Sequence, residues 1–381
     1  MSSVLEPHPA HLAHGAPFSA IETPAALVDL DRMERNIARM AAYAAEHRLA
    51  LRPHIKTHKS SVVGAAQIAA GAVGLTCATP AEAAVMSGVC KDILLAYPPV
   101  GPKVAKLMSL PPEVSLTVAL DSALAIEGLA MGAKAARRKV KVYVELDVGM
   151  HRVGVNAWDE AVNLAHMIGG NKPLEYAGIA FYPGHIRESG VSADEKLASL
   201  QETLGAAIAA LDRAGLTPPV VSGGSTPTMW RTHEITGVTE MRPGTYVYND
   251  RTTAEIGVCD WDDCAFTVLA TVVSTAVPGQ AVIDAGAKAL GREPLRGIAG
   301  EGFGALLDRP DVVVARMSEE HGILDLSNTD WRPEVGEQVR VVPNHVCIVV
   351  HLNDVMYGVR GEHVERSWSV DARGRGQPEV W

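Results

Sequence analysis

The sequence contains no uninterrupted run of about 18 apolar residues, the length a membrane helix requires, so no spanning helix is expected. Its first twenty residues hold His, Pro, Ala and Glu but no continuous apolar stretch of the kind a signal peptide needs. It also lacks a dense basic cluster. The richest stretch, residues 134–141, is short and reads as a solvated helix end, and the formal net charge is -10. A nucleic-acid partner is thereby excluded as an expectation, because phosphate backbones are held mainly by clustered Lys and Arg. Cysteines are few and unpaired in pattern: Cys77, Cys90, Cys259, Cys264 and Cys347 are scattered and form no CxxC motif. Free thiols in a reducing compartment, hence a cytoplasmic protein, are the expectation. No sequence repeat of 20–50 residues is visible, which argues against a solenoid.

What is present is an ordinary globular composition, 47% hydrophobic and 20% charged over 381 residues. That length allows two domains, or one barrel with a large appendage, and a core that needs no metal or disulfide merely to cohere. Residues 1–20 show no periodicity and read as a flexible leader. From Thr23 onward, compact Val/Ile/Leu-rich runs alternate with amphipathic stretches. Eight candidate strands fall at residues 25–30, 50–55, 73–77, 92–97, 115–120, 140–146, 176–181 and 219–222. Helical patterns lie between them, for example at 31–47, 80–88, 102–108, 159–168 and 193–214. Eight strand–helix units predict an α/β fold, a (β/α)8 TIM-type barrel over residues 21–254, with a doubly wound open sheet as the rival. After about residue 255 the helical patterns largely disappear, and short β-rich segments separated by turns predict a mostly β C-terminal domain over 255–381. The polar stretch 249–263 reads as the junction.

The strongest chemical signal is Arg52-Pro53-His54-Ile55-Lys56-Thr57-His58-Lys59, at the end of the second candidate strand. Carboxyl ends of barrel strands converge on one face, where catalytic groups gather. Cationic crowding around Lys56 would disfavour its ammonium form and promote the neutral amine that forms a Schiff base. The plain alternative is a solvated basic loop. Ser222-Gly223-Gly224-Ser225-Thr226-Pro227 follows the last candidate barrel strand. Its glycines allow close backbone approach and its hydroxyls add donors, as a phosphate site needs; most such loops are simply turns. Pro243-Gly244-Thr245-Tyr246 could complete that cradle. Asp147-Val148-Gly149-Met150-His151-Arg152 and Tyr182-Pro183-Gly184-His185 follow the sixth and seventh candidate strands. Tyr182 could stack on a cofactor ring, Arg152 could approach a ring nitrogen and His185 could act as a general base, or each could be an ordinary polar strand end. Finally, in Asn344-His345-Val346-Cys347, read as a strand, His345 and Cys347 point to one side and could share a metal. Imidazole with thiolate favours zinc, although a buried Cys beside a His is more often no metal site at all.

Taken in chain order, residues 52–59, 91–97, 147–152, 182–185, 224–227, Glu319-Glu320-His321-Gly322 and His345-Val346-Cys347 resemble the D-threonine aldolase and D-serine dehydratase family of fold-type III pyridoxal-phosphate enzymes. The resemblance covers about residues 23–373. It implies a barrel related to the N-terminal part of alanine racemase, pyridoxal 5′-phosphate as cofactor and a divalent metal (Zn, Mn or Mg). It makes Lys56 the imine-forming lysine, Gly224, Ser225 and Thr226 the phosphate loop, Gly244 and Thr245 a second phosphate contact, and His345 with Cys347 the metal pair. A homodimer is the family expectation. Several aldolases of the family carry aspartate where this chain has Cys347, whereas eukaryotic D-serine dehydratases carry cysteine. The segments 147–152 and 182–185 look more like the D-threonine aldolase branch. The resemblance therefore implies first a retro-aldol lyase of D-3-hydroxy-amino acids, taking D-threonine to glycine and acetaldehyde. A dehydratase of D-serine or D-threo-3-hydroxyaspartate is the alternative, ahead of a racemase or a non-catalytic cofactor binder. The expected signature is a visible absorption band of a lysine-bound cofactor in the purified protein, absent from Lys56→Ala; a band that persists in that variant would remove Lys56 from the role.

Overall fold

In the computed structural model the described residues are 14–187, 190–296 and 299–374, and they divide into two compact units. One unit runs over Asn36–Tyr246 with Glu255–Val258 and the residues from Asp371. The other comprises the described residues up to Arg35 together with Val247–Ala254 and Cys259–Val370. The first strand and helix are β1 (Ala25–Asp29) and α1 (Leu30–Glu46).

The first unit is a closed parallel barrel. Its strands are β2 (Ala50–Leu51), β3 (Leu75–Cys77), β4 (Asp92–Leu95), β5 (Ser115–Leu120), β6 (Val140–Leu146), β7 (Leu174–Phe181), β8 (Val220–Gly223) and β9 (Glu240–Met241). They neighbour one another in chain order, and β9 pairs with β2. Closure between β2 and β3 runs through the residues that follow β2: Thr76 N–H donates to Pro53 O at 2.8 Å and Ile55 N–H to Thr76 O at 2.9 Å. Outside lie α2 (Ser61–Ala69), α3 (Pro80–Met86), α4 (Pro102–Met108), α5 (Ala123–Ala135), α6 (Trp158–Gly170) and α7 (Val191–Arg213). The alternation of β6 shows how the layers arise. Val142, Val144 and Leu146 join the core between sheet and helices, whereas Tyr143 joins Leu94, Ala119 and Ala180 in a separate cluster within the barrel. Several helices begin at short polar residues that can cap them; Ser60 and Thr79, for instance, accept from Val63 N and Glu82 N.

The second unit carries a nine-stranded sheet in the order β11-β14-β13-β12-β15-β10-β1-β16-β17. Its further strands are β10 (Phe266–Ser274), β11 (Gln280–Ile283), β12 (Gly304–Leu306), β13 (Arg309–Met317), β14 (Gly322–Asp325), β15 (Gln338–Pro343), β16 (Val355–Arg360) and β17 (His363–Ser369). Short helices α8 (Arg251–Glu255), α9 (Ala287–Leu290) and α10 (Val346–Leu352) interrupt it. Of the expected leader, residues 1–13 lie outside the described residues. Residues 14–20 are tied to β17 and the turn before it: Gly15 N–H donates to Val364 O at 2.8 Å and Phe18 N–H to Glu362 O at 2.9 Å.

Eight barrel strands were expected and eight are present, but the sets differ at both ends. Residues 25–30, read as the first barrel strand, form β1 of the other sheet, antiparallel to β10 and parallel to β16. Four of its five residues are buried, so its apolar run says only that both faces are covered, not by what. The eighth barrel strand is instead Glu240–Met241, two residues with a charge, too short for hydrophobic patterning to register. Consequently residues 147–152 follow the fifth barrel strand and residues 182–185 the sixth. His345-Val346-Cys347 is a second difference. The β-branched run reads as strand, yet His345 is the residue before α10 and Cys347 lies in its first turn. Tertiary context overrides propensity there. No helix among the described residues is long and apolar enough to cross a membrane.

An ion cluster in the barrel joins β2's end to β9. Arg52 Nε stands 2.7 Å from Glu240 Oε2 and its Nη1 2.7 Å from Asp92 Oδ1, while Ser222 Oγ donates to Glu240 Oε1 at 2.6 Å. Glu240 is 4% exposed and Asp92 36%. Removing a buried partner strands the other charge, whereas an exposed partner can be replaced by water. Glu240→Ala is expected to lower unfolding stability by about 3–5 kcal/mol and Asp92→Ala by about 1 kcal/mol or less, as read from urea unfolding curves of the two variants.

Candidate functional site

Lys56 owes its position to backbone bonds on both sides. Arg52 N–H donates to Met241 O at 2.9 Å and His54 N–H to Pro243 O at 3.0 Å, while Ile55 is held by Thr76. A tight turn follows, with Lys59 N–H donating to Ile55 O at 2.7 Å. Lys56 is half-buried, and its Nζ lies 5.4 Å from the centre of the Tyr182 ring. The Arg152 guanidinium carbon lies 4.9 Å from the same centre. Three residues expected at the site, contributed by three different strand ends, thus meet around one ring at the carboxyl face of the barrel.

The cationic crowd inferred from sequence is largely dispersed. Arg52 turns into the barrel toward Glu240 and Asp92, and Lys59 pairs with buried Glu82. His58 is fully buried; its Nδ1 accepts from Ser60 N–H at 3.1 Å, so the other ring nitrogen, Nε2, donates to Gln67 Oε1 at 3.1 Å. Gln67 in turn donates to the Tyr246 hydroxyl at 3.0 Å. Burial pushes the His58 imidazole down to about 3. His54 is held well below the usual imidazole range, first by burial and then by Lys56, Arg242 and Lys59, and stays neutral.

The glycine-rich loop after β8 packs onto the Lys56 loop through Gly244. A Cβ at Gly244 would stand 2.8 Å from His54 O and 3.0 Å from Thr57 Oγ1. Thr226 Oγ1 accepts from the N–H groups of Gly244 at 3.3 Å and Thr245 at 3.1 Å. Gly224 adopts φ +92°, a conformation that favours glycine, and the hydroxyls of Ser225 and Thr228 are 3.0 Å apart. Gly224, Ser225, Thr226, Gly244 and Thr245 are therefore brought together as expected. His185 packs against Gly149: its Nε2 would lie 3.1 Å from a Cβ there. Asp147 shapes that loop, accepting from Gly149 N–H at 3.0 Å and His151 N–H at 2.9 Å. Burial works against its charge, but these bonds and His151 hold its carboxyl below the ordinary range.

Two residues of this region escaped sequence reading. Arg242, after β9, is buried and donates from Nη2 to Phe181 O at 2.8 Å and Ser222 O at 3.4 Å; its buried Nε has no hydrogen-bond partner among the described residues. Glu145 of β6 is buried, and its carboxyl is pushed up by burial although Arg242 and Arg152 pull the other way. Glu145 shares β6 with the exposed Lys141, so charge alone did not single it out in the sequence. An amine, a loop of hydroxyls and glycines, and a buried guanidinium with an unsatisfied nitrogen together fit a phosphorylated aldehyde cofactor with a ring nitrogen.

In the other unit, His345 and Cys347 interact side chain to side chain, and His345 Nδ1 is 3.2 Å from Asp250 Oδ2. Burial opposes charge on His345, but Cys347 and Asp250 push its imidazole up to about 10. No cluster of three or more His, Cys, Asp or Glu able to hold a metal occurs among the described residues. A two-donor set of imidazole and thiolate fits a metal that keeps open positions for water or substrate, as catalytic sites do.

Comparison with known proteins gives the arrangement a context. The family model of the alanine racemase N-terminal domain matches residues 28–252, and that of a serine dehydratase domain matches residues 265–359. D-threo-3-hydroxyaspartate dehydratase from Delftia sp. (strain HT23) is 37% identical over 86% of this chain and 91% of its own. The crystal structure of D-threonine aldolase from Filomicrobium marinum superposes with a TM-score of 0.89 at 32% identity, covering 96% of this chain and 99% of that one. Solved structures of the dehydratase include a histidine-to-alanine variant (30% identity, TM-score 0.87). Another replaces a cysteine two positions further on, in the metal-free form (31%, TM-score 0.84). Each covers 95% of this chain, and they cover 97% and 100% of their own.

Two outcomes test the barrel site. Thr226→Val leaves two backbone N–H groups without their acceptor, at about 1–3 kcal/mol each. Pyridoxal-phosphate affinity, read by fluorescence titration, should fall about tenfold or more. For His58 the unfolded side chain binds a proton near the ordinary 6.5 and the folded one only near 3. Stability therefore falls as pH drops through that window, by about 1.4 kcal/mol per pH unit. Urea unfolding at pH 7.5 and 5.0 should show this slope, reduced by that amount in His58→Gln.

Proposed function

The chain belongs to the family of the alanine racemase N-terminal domain, a family of pyridoxal-phosphate enzymes, and from that premise we propose that it is a metal-assisted lyase of D-3-hydroxy-amino acids. The observation that carries this reading is the joining of the Lys56 loop to the Gly224–Ser225–Thr226 loop through Gly244 and Thr226. Lys56 would hold the cofactor aldehyde through Nζ, and the two glycine loops would take its phosphate. Tyr182, Arg152 and Arg242 would orient its ring. His345 and Cys347 would hold the divalent ion. When bound, the cofactor supplies an electron sink for charge at Cα, and the ion a Lewis acid for the β-hydroxyl.

What remains for the protein is to decide which proton moves. For retro-aldol cleavage, a base takes the hydroxyl proton and the Cα–Cβ bond breaks; His185 is the imidazole on the Tyr182 loop for that task. For dehydration, the Lys56 amine would take the Cα proton while hydroxide leaves Cβ. His54, held neutral, adds no charge that would repel the substrate ammonium.

Retro-aldol cleavage is supported by the D-threonine aldolase, whose structure covers nearly the whole chain. A specific observation supports dehydration, and we take it as the first reading. The histidine and cysteine replaced two positions apart in the D-threo-3-hydroxyaspartate dehydratase variants, one of them metal-free, have the spacing of His345 and Cys347. A thiolate donor suits zinc better than the harder manganese or magnesium. With D-threo-3-hydroxyaspartate, the expected products are oxaloacetate and ammonia. Glycine and glyoxylate would establish carbon–carbon cleavage instead, and neither pair, with D-threonine and D-serine also unchanged, would end the lyase reading. Chelation should abolish turnover and added zinc should restore it.

A further inference from the structure

Asp250 lies in the polar stretch that sequence reading treats only as a junction. It is fully buried, and burying a carboxylate is costly unless several donors meet it. Four do. Oδ1 accepts from Thr253 N–H at 2.9 Å and from the Thr253 hydroxyl at 3.0 Å. Oδ2 accepts from Val346 N–H at 3.1 Å and stands 3.2 Å from His345 Nδ1. The carboxylate therefore ties the start of α8 to the start of α10, and its remaining lone pair addresses a ring nitrogen.

That geometry dictates a tautomer. A carboxylate oxygen only accepts, so His345 carries a proton on Nδ1, and in the neutral ring that a metal would bind, Nε2 is the lone-pair nitrogen. The backbone on either side is held as well. Asn344 O accepts from the Thr252 hydroxyl at 2.6 Å, and the Asn344 amide donates to Glu293 O at 3.0 Å and Gly302 O at 2.8 Å. The imidazole is thus fixed in rotation by Asp250 and in position by Asn344. A metal-ligating histidine characteristically gives its other N–H to a carboxylate, which orients the ring and raises its basicity, at about 10–100-fold in metal affinity when removed.

We propose that Asp250 is a positioning residue for the metal site: it holds Nδ1–H of His345 so that Nε2 binds the ion. The inference rests on the reading of His345 and Cys347 as the metal pair. An asparagine at 250 has one accepting oxygen, so its amide would face either the Thr253 donors or Val346 N–H and His345, and it carries no charge to raise the basicity of the ring.

Zinc titration of the pyridoxal-phosphate-loaded full chain, competed against a chromophoric chelator, tests this. Asp250→Asn should bind zinc about 10–100-fold more weakly than wild type while keeping its visible cofactor band. Thr253→Ala removes a bond at the same helix start without touching His345 and should keep wild-type zinc affinity. Equal affinity in Asp250→Asn and wild type, or an equal loss in Thr253→Ala, overturns the inference. Failure of wild type to bind zinc overturns instead the metal reading on which it rests. If Asp250→Asn does not fold, the cobalt-loaded wild-type chain decides. A hyperfine-shifted, slowly exchanging imidazole N–H resonance, lost in His345→Gln, is expected for Nε2 ligation. Its absence from the wild type, or its fast exchange with solvent, means that Asp250 does not hold the proton.

Discussion

The residues after β2 are bonded on one side to Met241 and Pro243 and on the other to Thr76, and the chemistry of the barrel unit depends on that double attachment. It closes the ring of strands. It also fixes the backbone of Lys56 to within hydrogen-bond tolerance without using the lysine side chain. The buried pair of Arg52 and Glu240 reinforces the same seam from inside. Such a pair contributes little net stability against an apolar substitute, but it makes misregister costly, because any slip would strand two charges. Gly244 follows from the seam, since only a residue without Cβ can pass His54 O at that distance. Thr226 then fastens the next loop to it.

The second unit solves an analogous problem by different means. His345 and Cys347 stand at the start of a seven-residue helix, too short to be stable by itself. Asp250 and Asn344 supply the missing rigidity, each through several backbone or side-chain bonds. Buried carboxylates serve opposite ends in the two units. Asp250 meets a full set of donors and holds an imidazole, whereas burial raises the Glu145 carboxyl beside Arg152 and Arg242. Aldolases and dehydratases share one architecture among the relatives of this chain.

Motifs at strand ends were legible because their residue types are constrained by chemistry rather than by neighbours. Lys56, Gly224, Ser225, Thr226, Gly244 and Thr245 are brought together, and Lys56, Tyr182 and Arg152 share one ring. Arg242, Glu145 and Asp250 were not legible. Each sits among ordinary residues and acquires meaning only from what is buried beside it. Hydrophobic patterning found eight strands yet assigned β1 to the wrong sheet and overlooked β9, because an apolar run records burial and not the partner that causes it.

The sequence by itself determined the alternation of strand and helix, seven of the eight barrel strands, the change to a β-rich texture near residue 255, and a set of reactive residues specific enough to indicate a family. These are local properties, set by side-chain chemistry and by periods of two and 3.6 residues. Tertiary structure alone decided which sheet receives β1, that His345 and Cys347 open a helix instead of facing along a strand, and which cations stay near Lys56. Those outcomes depend on contacts between residues as far apart as Asp250 and His345. Pairing at such separation is selected by the whole fold and leaves no periodic trace in the chain.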